Sequence, residues 1–134
     1  MTTIAFDGEH IAADSMLSGA YVDTAEKIFK ISGGYLMMAG SYSEGLIFKK
    51  WCKDRTKPKP KLDDFEALEI RGKKVMYYDE GIEPIPLKAP AAIGTGCQFA
   101  MGAMLAGATA KEAVKIASKL DEAAGGRIKV VKVR

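Results

Sequence analysis

Short apolar runs that double back through tight turns constrain this chain most. Thr3 to Phe6 reads as a strand, Asp7-Gly8 as a turn, and His10 to Ala13 as the returning strand. The pattern recurs in Lys27 to Ile31, a Gly33-Gly34 turn, and Tyr35 to Ala39. It recurs again where Phe65 to Ile70 and Lys74 to Tyr78 flank Arg71-Gly72. Chain neighbours joined this closely can pair only antiparallel. Residues 15–26 show no period and read as a loop.

Helices come in separate blocks. Ser41-x-x-Glu44 has capping-box spacing and predicts a helix over 42–53 with Leu46, Ile47 and Trp51 on its apolar face. A second helix is expected over 97–106, ended by Gly107, with Met101, Met104 and Leu105 as core residues. Thr109-x-x-Glu112 opens a third, running to about Ala124 and closed by Gly125-Gly126. Between them Lys57-Pro58-Lys59-Pro60-Lys61 predicts an extended, solvated connector. Asp79-Glu80-Gly81 is a turn, followed by a Pro-rich stretch to Pro90, a short strand over 91–94, and a terminal strand containing Ile128, Val130 and Val133. This order predicts a layered α+β fold. The 134 residues contain no repeat and no boundary, so residues 1–134 are expected to form one domain.

Composition narrows the chemistry. Hydrophobic residues make up 48% and charged residues 28%, the balance of a soluble globular protein. No run approaches the ~18 apolar residues of a membrane span, and no signal peptide is apparent. Cys52 and Cys97 lack metal or redox spacing, which predicts free thiols and a cytoplasmic location. The net charge of +3 is too small to argue for nucleic acid. Gly94-Thr95-Gly96 invites a nucleotide-binding reading, but Phe99 stands where a third glycine is needed. The connector lysines could touch phosphate or an acidic partner, but no aromatic residues interleave with them, so single-strand binding has little support.

The chain has one histidine, His10, expected at a hairpin rim. A Ser-His-Asp or Cys-His enzyme would have to use it, and a metal site would need more ligands than the chain offers. No metal or cofactor is expected. A different base is available at the start of the chain. Removal of Met1 turns Thr2 into a residue that carries both a hydroxyl nucleophile and a free α-amine of suitable pKa, about 7.7–8.0 unperturbed. A chain that keeps Met1 has that amine blocked. Pattern alone adds nothing to this: it reads Lys27 as a surface strand lysine and Asp14 as a turn residue.

Several segments, taken in order, resemble the proteasome β-subunit and HslV peptidase family of N-terminal nucleophile hydrolases. They are Thr2-Thr3-Ile4-Ala5-Phe6, Ile11-Ala12-Ala13-Asp14-Ser15, Glu26-Lys27-Ile28 and Met38-Ala39-Gly40. Ala92-Ile93-Gly94-Thr95-Gly96, Gly107-Ala108-Thr109-Ala110, and Asp121 with Gly125 follow. The resemblance implies a four-layer αββα sandwich and a threonine peptidase. Thr2 would be the nucleophile, Lys27 would lie beside its hydroxyl, and Asp14 would hold Lys27. Gly40 N–H would face the oxyanion, and Thr95 with Asp121 would support the Thr2 amine. Leu17, Met38 and Tyr42 fall at pocket-lining positions, which implies cleavage after small or medium apolar residues.

Departures accompany the likeness. Thr95 stands where the family usually has Ser, and Ala124 removes a hydroxyl near the amine. The segment between Glu44 and Ala91 is short, as in compact forms that resemble those of phage genomes. The family further implies a peptide or unfolded-protein substrate, a homo-oligomeric ring and an ATPase unfoldase partner. The alternative is a catalytically inactive member that serves as a structural or interaction subunit.

Overall fold

The computed structural model describes residues 2–16, 26–121 and 126–133. Leu17, Met1 and Ala124 therefore lie outside the described residues. The elements run β1 (Ile4–Phe6), β2 (His10–Ala13), β3 (Ile28–Ile31), β4 (Gly34–Gly40), α1 (Tyr42–Trp51), β5 (Phe65–Arg71), β6 (Lys74–Tyr78). Then come β7 (Ile85–Leu87), β8 (Ala91–Ile93), α2 (Cys97–Leu105), α3 (Ala110–Leu120) and β9 (Lys129–Lys132). The strands form two sheets, ordered β8-β1-β2-β9 and β3-β4-β5-β6-β7. The paired strands are antiparallel.

The two-residue period of the strands sorts side chains into three cores. Ile4 and Phe6 of β1 and Ile11 and Ala13 of β2 meet Met37, Leu68 and Ile70 between the sheets. The alternate residues Ala5 and Ala12 face α2 and α3, against Ala100, Ala113, Val114 and Ala117. Methyl side chains on both surfaces let the helices lie close to the sheet. On the far side Leu36 and Met38 of β4 face α1, where Phe48 packs against Phe65 and Tyr78 with ring centroids 4.7 and 5.1 Å apart. The result is the expected four-layer αββα sandwich: α2 and α3, a sheet, a second sheet, α1.

Some local expectations are corrected. Gly45 and Phe48 are the buried residues of α1, while Leu46 and Ile47 are 43% and 49% exposed and Trp51 is half-buried. The N–H of Ser41 donates to the Asp64 carbonyl at 2.7 Å, which sets the phase in which the helix enters. The capping box at Ser41 is only half formed. Ser41 accepts from Glu44 N–H, but the Glu44 carboxylate instead accepts from the amides of Asp63 and Asp64. Both halves form at Thr109 and Glu112.

In α2 Met104 is buried and Met101 half-buried, but Leu105 is 72% exposed. The Pro-rich stretch contains a strand, β7, at the edge of its sheet, where Pro86 removes no donor the ladder must have. The third helix ends at Leu120, with Asp121 as its C-cap. No helix among the described residues is long and apolar enough to cross a membrane.

Candidate active site

The β1–β2 hairpin brings Thr2 and Asp14 together. Pairing of Ile4 with Ala13 sets Thr3 opposite Asp14, and Asp14 N–H donates to the Thr3 carbonyl at 3.2 Å. The Asp14 carboxylate turns back on the same strand end. Its Oδ1 accepts from Thr3 N–H at 2.9 Å and from the Thr2 hydroxyl at 2.7 Å. Lys27 arrives from the second sheet, one residue before β3. Its Nζ donates to Asp14 Oδ1 at 2.9 Å, to the Met16 carbonyl at 2.5 Å, and to the Thr2 hydroxyl.

Thr2, Asp14 and Lys27 are all buried, at 3%, 2% and 4% exposure. This corrects the reading of Lys27 as a surface lysine and Asp14 as a turn residue. Period and composition could not reveal it, because the burial arises where two sheets meet. Burial pulls the Lys27 ammonium below the usual lysine range, and the neighbouring Asp14 charge opposes that pull. The Thr2 hydroxyl thus both donates to a carboxylate and accepts from a buried amine.

The turn after β8 closes on the same residue. Gly94 has φ +95, and a Cβ there would lie 2.1 Å from the Thr2 carbonyl oxygen. Only glycine tolerates both conditions. Gly96 N–H donates to that carbonyl at 3.4 Å. Between the two glycines Thr95 donates its hydroxyl to Asp121 Oδ2, which joins α3 to the turn. Thr95 and Asp121 are therefore placed together, on the turn whose glycine backbone approaches the Thr2 carbonyl.

Gly40 ends β4 with φ +94, and a Cβ there would press to 2.4 Å from the Asp64 carbonyl. Thr2, Lys27 and Gly40 line one cleft with Met38 and Tyr42. Its enclosed space, about 20 Å³, admits little more than a single water-sized group. Burial and nearby Glu26 raise the Tyr42 phenol above its ordinary pKa.

Sequence reasoning missed two carboxylates here. Glu26 lines the cleft and is paired with Lys129 at 2.6 Å. Glu66 accepts from Gly94 N–H at 3.1 Å and from the Tyr77 hydroxyl at 2.7 Å. The available signal was an acid inside an otherwise apolar strand pattern, Phe65-Glu66-Ala67-Leu68.

No protein-family profile matches the sequence, and no curated protein matches it. Solved structures do match its fold. A Thiobacillus denitrificans protein, BPH, in complex with epoxomicin is 17% identical, with a TM-score of 0.75 over 99% of this chain and 97% of that one. Another structure of T. denitrificans BPH gives 18% identity and a TM-score of 0.72 over the same shares. The eukaryotic HslV of Trypanosoma brucei gives 17% identity and a TM-score of 0.71, over 98% of this chain and 97% of that one. The chain has the fold of HslV-like peptidases along nearly its whole length.

Proposed function

We propose that this chain, as a single catalytic domain over residues 1–134, is a threonine peptidase that cleaves peptide bonds through Thr2 once Met1 is removed. One observation carries the reading: the Thr2 hydroxyl is held between Lys27 Nζ and Asp14 Oδ1 in a cleft also lined by Gly40. The freed Thr2 amine takes the hydroxyl proton, and Oγ1 attacks the scissile carbonyl. Buried Lys27 favours the alkoxide that develops, and Asp14 orients Lys27. Gly40 N–H meets the oxyanion, a donor worth ~3 kcal/mol in comparable sites. Collapse breaks the C–N bond as the Thr2 ammonium returns that proton to the departing nitrogen, which expels the amine product and leaves an ester on Thr2. Water then attacks the ester and releases the acid. Thr95 and Asp121 steady the Thr2 amine through these proton transfers.

Met38 and Tyr42 make the cleft apolar and narrow, with Leu17 as their expected companion. The pairing of Glu26 with Lys129 offsets the acid that lines the cleft among the described residues. An apolar cleft with about 20 Å³ of enclosed space favours the small end of the expected small or medium apolar residues of a peptide or unfolded protein. The likeness to HslV supports assembly into a homo-oligomeric ring, with an ATPase unfoldase as a candidate partner.

Intact-mass spectrometry of untagged protein tests the proposal. The expected result is loss of one methionine and then a covalent adduct with epoxomicin that Thr2→Ala fails to form. Retained Met1 with no adduct would instead assign the chain a non-catalytic, structural role.

A further inference from the structure

Glu66 occupies a junction that the proposed chemistry does not use. It is the second residue of β5 and pairs with Ala39, the neighbour of Gly40. Phe65 and Ala67 point toward α1, while Leu68 and Ile70 point between the sheets. Strand alternation therefore turns Glu66 inward, toward the other sheet. There both carboxylate oxygens are engaged. Oε1 accepts from the N–H of Gly94, across the sandwich, at 3.1 Å. Oε2 accepts from the hydroxyl of Tyr77, on β6, at 2.7 Å.

The Gly94 end of this link matters most. Among the described residues β8 is an edge strand of three residues and pairs with β1 alone in its sheet. Among the described residues its exit turn has no strand on the outer side to hold it. Yet that turn bears directly on Thr2, through the close approach of Gly94 and the Gly96 bond to the Thr2 carbonyl. Neither glycine has a side chain with which to anchor itself. The carboxylate supplies a backbone anchor from the strand beside Gly40, in addition to the Thr95–Asp121 bond that ties the turn to α3.

We infer that Glu66 is a positioning residue that fixes the Thr2 backbone relative to Gly40, acting through Gly94. Its catalytic consequence rests on the peptidase reading, whereas its structural consequence does not. A nucleophile and an oxyanion donor on different sheets must keep their spacing to well under an ångström, since a 1 Å misplacement can cost ~100-fold in rate. Tyr77 is part of the device. Burial and the bond to Glu66 raise its phenol above the ordinary tyrosine range, so it stays a donor.

Two measurements on Glu66→Ala, Glu66→Gln and Tyr77→Phe test this. The first is amide hydrogen exchange at Gly94. The second is the rate of epoxomicin adduct formation on protein lacking Met1. Glutamine can still accept from Gly94 with its oxygen while its NH2 group donates to Tyr77. Glu66→Gln should therefore keep Gly94 protected and the adduct rate within about threefold of wild type. Glu66→Ala should lose the Gly94 protection and slow adduct formation ~10–100-fold, with Tyr77→Phe between them. A Glu66→Ala protein with Gly94 as protected as in wild type would overturn the inference. So would one that loses the protection yet reacts at the wild-type rate. A wild-type protein that forms no adduct counts against the peptidase reading alone, and Gly94 exchange then decides whether Glu66 holds the turn.

Discussion

Lys27 Nζ and Asp14 Oδ1 lie 2.9 Å apart, with side chains only 3% and 0% exposed, and each comes from a different sheet. A pair this dry is a poor way to stabilise a fold. Desolvation of both charges offsets most of their attraction, and apolar replacements of similar size often do as well. Its position against the Thr2 hydroxyl is what the proposed mechanism uses.

Single and double substitutions should separate these roles. Asp14→Ala strips Lys27 of its carboxylate and should destabilise the protein by ~3–5 kcal/mol. Replacing both, as Lys27→Met with Asp14→Leu, should restore much of that stability and leave no epoxomicin adduct. Urea denaturation and intact mass report the two effects independently. Full adduct formation by the double variant would remove the pair from the mechanism.

Two glycine-to-alanine changes should act with opposite sign. At Gly94 a Cβ meets the Thr2 carbonyl at 2.1 Å, and φ is +95. Gly94→Ala should cost ~2 kcal/mol or more and disturb Thr2 directly. Gly102 lies inside α2 with open space where a Cβ would go. Gly102→Ala should stabilise by ~0.5–1 kcal/mol, because alanine loses less backbone entropy in a helix. Thermal unfolding of both variants measures the contrast, and equal effects would contradict the turn geometry.

Asp7 should govern part of the acid sensitivity. Its carboxylate accepts from the amides of Glu9, His10 and Ala110, and so ties the first residue of α3 to the β1–β2 turn. Burial raises its pKa, but these bonds and His10 prevail and hold it below the ordinary aspartate value of 3.8. The folded state therefore binds the proton more weakly than the unfolded chain. Asp7 contributes its full stability above pH ~4 and loses it as pH falls through the lowered folded value. Asp7→Ala should cost ~1 kcal/mol at pH 7 and less at pH 2. Urea midpoints at the two pH values test this, and an equal loss at both would refute it.

Much of the sandwich was readable because its strands are short, alternating and joined by turn dipeptides such as Asp7-Gly8. The helices were harder where tertiary contact, and not amphipathicity, decides the buried face. In α1 the chain buries Gly45 and leaves Ile47 exposed, since a glycine lets the Met38 side chain approach. β7 escaped because Pro84 and Pro86 read as breakers, and only its place at the sheet edge makes Pro86 harmless. At the site, Thr2, Asp14 and Lys27 came from an ordered likeness across distant segments. No local pattern marks a lysine that another sheet will bury. Glu66 was marked only as an acid in an otherwise apolar strand, and its role was hidden because its partner Gly94 lies 28 residues away.

The two cysteines should differ in reactivity. Cys52, half-buried at the end of α1, has its thiol pushed up to about 11 by burial, with Glu69 adding to the rise and Arg55 and Arg71 opposing it. At pH 8 only about one molecule in a thousand would carry the thiolate, the reactive form. Cys97 is also raised by burial, and by Glu66, but it stands in the first turn of α2. There its own backbone N–H and that of Gln98 favour the thiolate. Iodoacetamide at pH 8 should therefore label Cys97 before Cys52, and labelling of Cys52 should accelerate steeply as the pH rises toward 11. Peptide mapping by mass spectrometry resolves the two sites. Preferential labelling of Cys52 at pH 8 would show that its surroundings are wetter than the packing of α1 on β5 implies.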